Sequence, residues 1–499
     1  VRSNKLEKKL PSCKLIIKDE VNIKFEGLSL EARRKLSNKF KFEVPWARYQ
    51  PSYRLGRWDG TVAFFGVGGT GYINQLDEIL PLLEDMDYDI EVEDHRTHSS
   101  IEFTDIDETF WSHLTWPKGH VKEGEPIILR DYQVDAVNNF LKQSTALQEL
   151  ATGAGKTIIT ATLCKLCEKY GRTLTIVPNK GLVEQTEEDF RNCQMDVGVY
   201  YGDRKELNRT HTICTWQSLN ILDKKGHYDA TLTLAEFLDG VSTVIVDEVH
   251  QAKAEVLKKL LTVNLANAPI RWGLTGTVPK ERFEFEAIRC SLGEVINRIQ
   301  AHELQAQGVL SNCHVNVLQT TDIKEFRSYA DEYKYLVTNP ERMNWLANTI
   351  KNISKTGNTL VLVNRIDTGK ILINEIPEAV FVSGEVKNKD RKEEYDEVKT
   401  STDKIIVATY GVAAVGINIP RIFNLILLEP GKSFVRVIQS IGRGIRKAED
   451  KDFVQIWDIT STCKYAKRHL TERKRFYKEA KYPFTLSKVD IDENFNIGQ

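Results

Sequence analysis

No apolar run in this chain approaches the roughly 20 residues needed to cross a bilayer, and its 499 residues carry a formal net charge of only −1. The first absence excludes a membrane-spanning helix. The second excludes a positive field over the whole surface, so any polyanionic partner must be met in a local groove. The stretch around Lys5, Glu7, Lys8 and Lys9 lacks the apolar core of a secretory signal. Cysteine is sparse and irregularly spaced, eight in all, which suits reduced thiols in a cytosol-like compartment rather than a disulfide framework. Cys164 and Cys167 form a CxxC, but no second pair stands at zinc spacing and both fall in an expected helix. The length leads us to expect about three domains, each able to bury its own core.

What is present is an ordered series of short motifs. Thr152, Gly153, Ala154, Gly155, Lys156 and Thr157 make a GxGKT core between an apolar strand-like run and a helix-like run. In that context glycines turn successive backbone N–H groups toward phosphate oxygens, Lys156 neutralises the β/γ charge, and the Thr157 hydroxyl ligates Mg²⁺. Leu150 stands where the longer phosphate-loop pattern has glycine, so the match is to the shorter core. The β-branched run Thr243, Val244, Ile245, Val246 stops at Asp247 and Glu248. This predicts two acids at the carboxyl end of a buried parallel strand, Asp247 holding Mg²⁺ through water and Glu248 orienting the attacking water. Across Val437–Lys447 the i, i+4, i+7 spacing of Gln439, Arg443 and Arg446 predicts one face of a helix. An arginine fork suits the γ-phosphate because it donates two hydrogen bonds and keeps its charge. Taken singly, each motif has a bland reading: a structural turn, a solvated acidic turn, a basic surface helix.

Together they resemble the superfamily 2 helicases of the DExH type, over Leu129–Lys447. The resemblance implies two tandem RecA-like parallel-sheet domains with a smaller α+β N-terminal DNA-binding domain, and an ATP- and Mg²⁺-dependent reaction. It assigns Arg130 and Gln133 to adenine. Pro178, Asn179 and Gln185, then Thr215, Gln217 and Ser218, fall to the DNA backbone. Thr275, Gly276 and Thr277, with His250, couple hydrolysis to movement. In the second half Asn364, Arg365 and Thr409 would contact DNA, and Gly416 and Asn418 would serve the nucleotide. Many relatives carry Asp where this chain has Asn418, which weakens the role assigned there.

The first 75 residues interleave Arg33, Arg34, Lys35, Lys39, Lys41, Arg48, Arg54 and Arg57 with Phe40, Phe42, Trp46, Tyr49, Tyr53 and Trp58. Cations engage phosphates and flat rings stack on bases, so Arg48, Arg54, Arg57 and Trp58 are candidate DNA contacts. The alternative is a small domain whose aromatics are core and whose cations are surface. Asp77–Glu125 is acidic and reads as the far side of that domain plus a connector. A GlyxTrpAspGly turn (Gly56, Trp58, Asp59, Gly60) ahead of such a motor resembles the phage UvsW helicases. That implies branch migration of Holliday junctions, fork regression and R-loop unwinding in recombination, repair and replication, and a cytoplasmic location, the host cytoplasm if the chain is phage-encoded.

The expected division is 1–115 N-terminal domain and connector, 116–310 ATP-binding RecA-like domain, 311–460 second RecA-like domain, and 461–499 a basic helical tail. A hinge is expected near 310–345. The tail reads either as a DNA-contacting helix or as a solvated helix packing by its aromatic stripe. The expected partner is DNA, whether branched, forked, single-stranded or duplex, with RNA–DNA hybrids as a further substrate, and no membrane or obligatory protein partner. The alternatives are an RNA helicase, a restriction-type translocase subunit, and a passive DNA-bridging or annealing protein.

Overall fold

The computed structural model describes residues 11–97, 100–118, 120, 122–225, 232–251, 254–382, 401–412, 421–432, 441–442, 444–448 and 450–492. The chain falls into two compact units. One comprises Val1–Trp116, Glu125–Glu149 and Thr157–Arg298; the other comprises Pro117–Gly124, Leu150–Lys156 and Ile299–Gln499.

The first unit holds a small mixed sheet and a large sheet. The small one runs β5 (Thr70–Tyr72), β2 (Asn22–Glu26), β1 (Ser12–Ile17), β6 (Asp89–Asp94). Alternation of side chains along a strand sends Cys13, Leu15 and Ile17 inward from β1, where Leu15 stands opposite Phe25 of the antiparallel β2. The helix Leu30–Lys39 covers this face, its first turn capped by Ser29, whose Oγ accepts from the Ala32 N–H at 3.1 Å. A hairpin, β3 (Lys41–Glu43) with β4 (Thr61–Ala63), frames the basic-aromatic segment.

The large sheet runs β10 (Arg204–Lys205), β9 (Val197–Tyr201), β11 (His211–Thr215), β8 (Arg172–Val177), β12 (Val241–Val246), β13 (Ile270–Thr275), β7 (Thr145–Leu150), β14 (Val295–Ile299). Its central strands pair in parallel. Parallel sheets are covered by helices on both faces and so need continuous apolar runs, which explains why β11 and β13 are buried from end to end.

The N-terminal domain is built onto this sheet through the helix Arg282–Leu292. Phe283, Ala287 and Cys290 of that helix share one hydrophobic cluster with Phe25, Phe40 and Phe64. Arg289 pairs with Glu78 at 2.7 Å, and Asn74 Nδ2 donates to the Arg289 carbonyl at 2.9 Å. The acidic stretch, expected to be the far side of the N-terminal domain plus a connector, supplies Glu78 to this contact. Beyond Glu78 and β6, Trp111 is buried and its Nε1–H donates to Thr162 Oγ1 at 2.8 Å.

The second unit carries a parallel sheet in the order β17 (Val380–Val382), β18 (Ile405–Thr409), β16 (Thr359–Val363), β19 (Asn424–Leu428), β20 (Phe453–Ser461), β15 (Asn312–Thr320), β21 (Phe484–Val489). The strand β20 runs through Asp458 to Ser461. The tail expected to be helical contains the helix Lys464–Glu479 and then β21, which pairs with β15. That helix packs by its stripe: Phe476 and Tyr477 are buried, and the buried Arg473 grips Asp458 of β20 through Nε and Nη2 at 2.8 and 2.9 Å.

Candidate ATPase and nucleic-acid site

The segment 150–156 is counted with the second unit, while the strand and helix it joins by chain continuity, β7 and Lys156–Cys167, belong to the first. Gly153 and Gly155 take φ of +90° and +77°, the left-handed region that a side chain disfavours. Between them the Ala154 N–H closes a turn on the Ala151 carbonyl at 3.0 Å. The loop ends on the first turn of a 12-residue helix, where unpaired N–H groups and the helix dipole favour anions. Lys156 Nζ stands 3.4 Å from the Leu150 carbonyl oxygen, and Thr152 and Thr157 are half-buried. This backbone suits a polyphosphate, and Lys156 and Thr157 have the donor and hydroxyl that a phosphate–metal pair requires.

Asp247 and Glu248 follow β12, one strand removed from β7 in the sheet. Asp247 Oδ1 accepts from the Glu248 N–H at 2.8 Å. Glu248 has φ of +49°, a strained conformation for a residue with a Cβ, and such strain concentrates at functional sites. Its Oε2 lies 3.6 Å from His250 Nδ1 and 3.4 Å from the Gly276 nitrogen. His250 Nδ1 is 2.7 Å from Thr275 Oγ1, and Thr275 Oγ1 in turn donates to the Thr277 carbonyl at 2.8 Å. The residues expected to couple hydrolysis with movement thus form one hydrogen-bonded cluster around Glu248. Glu149 was missed by sequence reasoning: its Oε1 accepts from the Val278 N–H at 3.1 Å and its Oε2 holds Arg298 at 2.7 Å, anchoring the segment after Thr277. A lone glutamate at the end of an apolar strand gives no signal of that task.

At the start of the helix Asp131–Leu141, Gln133 is buried and its Oε1 accepts from the Arg130 N–H at 2.9 Å; Arg130 Nη1 reaches Tyr132 Oη at 3.0 Å. Asn179 caps the helix Lys180–Asn192 by accepting from the Leu182 N–H at 3.0 Å, and the half-buried Gln185 lies on that helix. Gln217 Nε2 donates to the Pro178 carbonyl at 2.9 Å, and Thr215 Oγ1 meets Ser218 Oγ at 2.8 Å. The two segments assigned to a nucleic-acid backbone are therefore tied to each other.

In the second unit, Asn364 Nδ2 donates to the Glu429 carbonyl at 2.9 Å, the exposed Arg365 guanidinium lies 5.0 Å from the Tyr333 ring centre, and Thr409 Oγ1 accepts from the Val412 N–H at 3.3 Å. Gly416, Asn418, Gln439 and Arg443 lie outside the described residues. The helix face expected to carry Arg446 is corrected: Ile441, Gly442 and Gly444 are helical, Ile445 is in a turn, and Arg446 forms a β-bridge with Leu310. The buried Lys451, whose Nζ donates to the Arg446 carbonyl at 2.8 Å, holds this non-helical end.

The cations of the N-terminal segment divide into two sets. Lys39 pairs with Glu78 at 3.0 Å and Lys41 with Asp59 at 2.6 Å. Arg48, Arg54 and Arg57 are exposed, and none has a carboxylate partner among the described residues. Arg48 lies 4.8 Å from the Tyr49 ring centre, and Arg54 Nε donates to the Arg48 carbonyl at 3.2 Å. Trp58 is half-buried against the domain core, and its Nε1–H donates to the Thr61 carbonyl at 2.7 Å, the geometry of a plug that holds the hairpin.

Residues 126–280 match the family of type III restriction enzyme res subunits, and residues 341–448 match the helicase conserved C-terminal domain. The ATP-dependent DNA helicase uvsW of Enterobacteria phage T4 is 24% identical over 496 residues, covering 92% of this chain and 95% of the relative. The DNA 3'-5' helicase XPB of Kineococcus radiotolerans is 26% identical over 379 residues, covering 73% and 65%. The solved ATP-dependent Type ISP restriction-modification enzyme LlaBIII, bound to DNA, has the same fold with a TM-score of 0.54 at 17% identity, over 84% of this chain and 36% of that one.

Two parallel sheets matched by the two helicase domains define a nucleic-acid motor that binds and hydrolyses ATP. Within that class the chain is a superfamily 2 DExH helicase, resembling the phage UvsW helicases along nearly its whole length.

Proposed function

We propose that the protein is an ATP-dependent DNA helicase or translocase that remodels branched DNA, by branch migration, fork regression and R-loop unwinding, in the cytoplasm, which is the host cytoplasm if the chain is phage-encoded. The observation that carries the branched-DNA reading is the set of three exposed arginines, Arg48, Arg54 and Arg57, that have no carboxylate partner among the described residues, on a domain built into the ATPase unit through Phe283 and Arg289. A motor needs no such face to track one strand; a motor that holds a duplex arm while pulling another does. The similarity to uvsW, which spans 92% of this chain, supports the same reading.

In the chemistry, the N–H groups around Gly153–Gly155 cradle the phosphates, Lys156 neutralises the β/γ charge, and Gln133 and Arg130 meet the base. Thr157 and, through water, Asp247 would hold Mg²⁺, which would supply positive charge to the phosphates. Glu248 orients and activates the attacking water, and Arg446, with Gln439 and Arg443, stabilises the charge that develops. His250, Thr275, Gly276 and Thr277 pass the change on. Pro178, Asn179, Gln185, Thr215, Gln217, Ser218, Asn364, Arg365 and Thr409 track the strand. Trp58 holds the hairpin rather than stacking on a base.

Hydrolysis and products measured side by side on single-stranded, duplex, forked and four-way DNA, RNA–DNA hybrid and RNA test the proposal. Stimulation by DNA with junction products is expected. Stimulation by RNA alone would replace DNA with RNA as the substrate, and absence of nucleotide turnover would leave a passive bridging protein. The Arg48, Arg54 and Arg57 triple change to Ala should weaken fork binding and reduce its log–log salt slope by about one for each phosphate that is no longer neutralised.

A further inference from the structure

The N-terminal domain and the loop after Glu248 line one cavity of about 380 Å³. Trp46 and Gln50 contribute to its wall from the N-terminal side; Val249 and His250 contribute from the ATPase side, and the rest of the wall comes from residues between Glu255 and Leu292, Pro279 and Ala287 among them. The cavity is partly open to solvent, with the exposed Gln50 in its wall, and a wall that faces empty space has fewer neighbours to hold it in place.

The elements around the cavity connect two sites. Trp46 meets the Phe283 ring edge-on at 5.5 Å, and Phe283 also touches Phe64 at 5.9 Å. Phe283 lies in the first turn of the helix Arg282–Leu292, which follows the Thr275–Thr277 cluster after a short link through Val278 and Pro279. On the other side, Trp46 and Gln50 bracket Arg48 and Tyr49, and the Arg54–Arg48 hydrogen bond at 3.2 Å ties the helix Pro51–Arg54 into the same segment. His250, across the void, is the residue bonded to Thr275 at 2.7 Å. A displacement of the 46–50 segment therefore has two outlets: directly into the void beside His250, and through Phe283 into the helix that leads back to Thr277.

We propose that Trp46 and Gln50 are positioning residues for His250, so that a nucleic-acid backbone engaged at Arg48, Arg54 and Arg57 drives this segment into the cavity and resets the rate of ATP hydrolysis. The idea rests on the proposed function in that it takes those arginines as nucleic-acid contacts. On this proposal the two states are an open and a filled cavity, and the element that changes between them is the 46–50 segment.

Full-length wild type, Trp46→Ala, Trp46→Phe and Gln50→Trp are compared for hydrolysis rate without DNA, hydrolysis rate at saturating forked DNA, fork affinity by fluorescence anisotropy, and melting temperature. Trp46→Ala is expected to keep the DNA-free rate and the fork affinity while the fork-induced rise in kcat falls at least about fivefold, the low end of allosteric coupling. Trp46→Phe, which keeps an aromatic edge on Phe283, is expected to restore it. Gln50→Trp, made at an exposed position that tolerates bulk, is expected to fill the void and bring the rates with and without fork together. A folded Trp46→Ala or Gln50→Trp protein with wild-type stimulation overturns the proposal. If Trp46→Ala does not fold, Gln50→Trp alone decides. A wild-type enzyme that no fork stimulates overturns the reading on which the proposal rests, and both fall together; stimulation in wild type and in both variants overturns only the coupling.

Discussion

His250 Nδ1 lies 2.7 Å from Thr275 Oγ1, and because the Thr275 hydroxyl donates to the Thr277 carbonyl at 2.8 Å it accepts from the imidazole. The proton is thereby fixed on Nδ1, and the DExH loop is bonded to the loop that ends β13. Thr275→Val removes the acceptor and the donor at nearly constant volume. It is expected to leave DNA-stimulated hydrolysis within a fewfold of wild type while strand displacement per ATP falls steeply. Parallel hydrolysis and unwinding assays check this; equal losses in both would assign Thr275 to the chemical step instead.

The phosphate loop, the acidic strand end and the order of motifs were legible because backbone turns and strand ends have residue-type requirements that survive in a short window: Gly153 and Gly155 at positive φ, Val244–Val246 buried ahead of Asp247. The contribution of the 77–125 stretch was not. Its charge suggested the far side of the N-terminal domain plus a connector but not what holds it there: Glu78 is neutralised by Lys39 and Arg289, and a partner some two hundred residues away leaves no local trace. Arg446 failed for a related reason: helical spacing was present, but pairing with Leu310 and the grip of Lys451 on nearby carbonyls overrode it. The strand β21 was hidden by the basic composition of the helix before it.

Glu248 combines a positive φ with a buried carboxylate. Glu248→Gln keeps the shape and is expected to bind ATP normally while hydrolysis falls by orders of magnitude. Lys156→Ala is expected to lose affinity and turnover together, because a charge that meets phosphate in the ground state also meets it in the transition state. Equilibrium binding of a fluorescent nucleotide alongside turnover separates the two, and wild-type turnover in either variant would remove its assignment.

Asp458 and Arg473 are fully buried and form a two-pronged pair that Tyr477 completes, its hydroxyl donating to Asp458 Oδ2 at 2.7 Å. Removing one partner strands the other charge, at a cost of about 3–5 kcal/mol. Asp458→Asn is therefore expected to lower the urea midpoint of the second unit strongly. The double change Asp458→Leu with Arg473→Met should recover most of that loss, since an apolar pair of similar volume avoids the desolvation. A single change without effect would mean that the helix Lys464–Glu479 does not brace the sheet.

His469 sits on the same helix with its ring edge-on to Tyr329 at 5.1 Å. Burial, with Arg473, Lys432 and Arg468 nearby, depresses its imidazole from 6.5 to about 4. Between those values the unfolded chain binds the extra proton and the folded chain does not, so stability rises with pH across this window. The contribution is complete above about pH 6.5 and is lost as pH falls through about 4. Glu429, which shares the adjoining small cavity and is raised to about 7 by burial, acts in the opposite sense but is common to both proteins under comparison. His469→Phe keeps an aromatic edge for Tyr329 and cannot titrate. Urea unfolding at pH 7 and pH 4.5 is thus expected to show a smaller loss of stability on acidification in His469→Phe than in wild type; an equal loss would place the proton elsewhere.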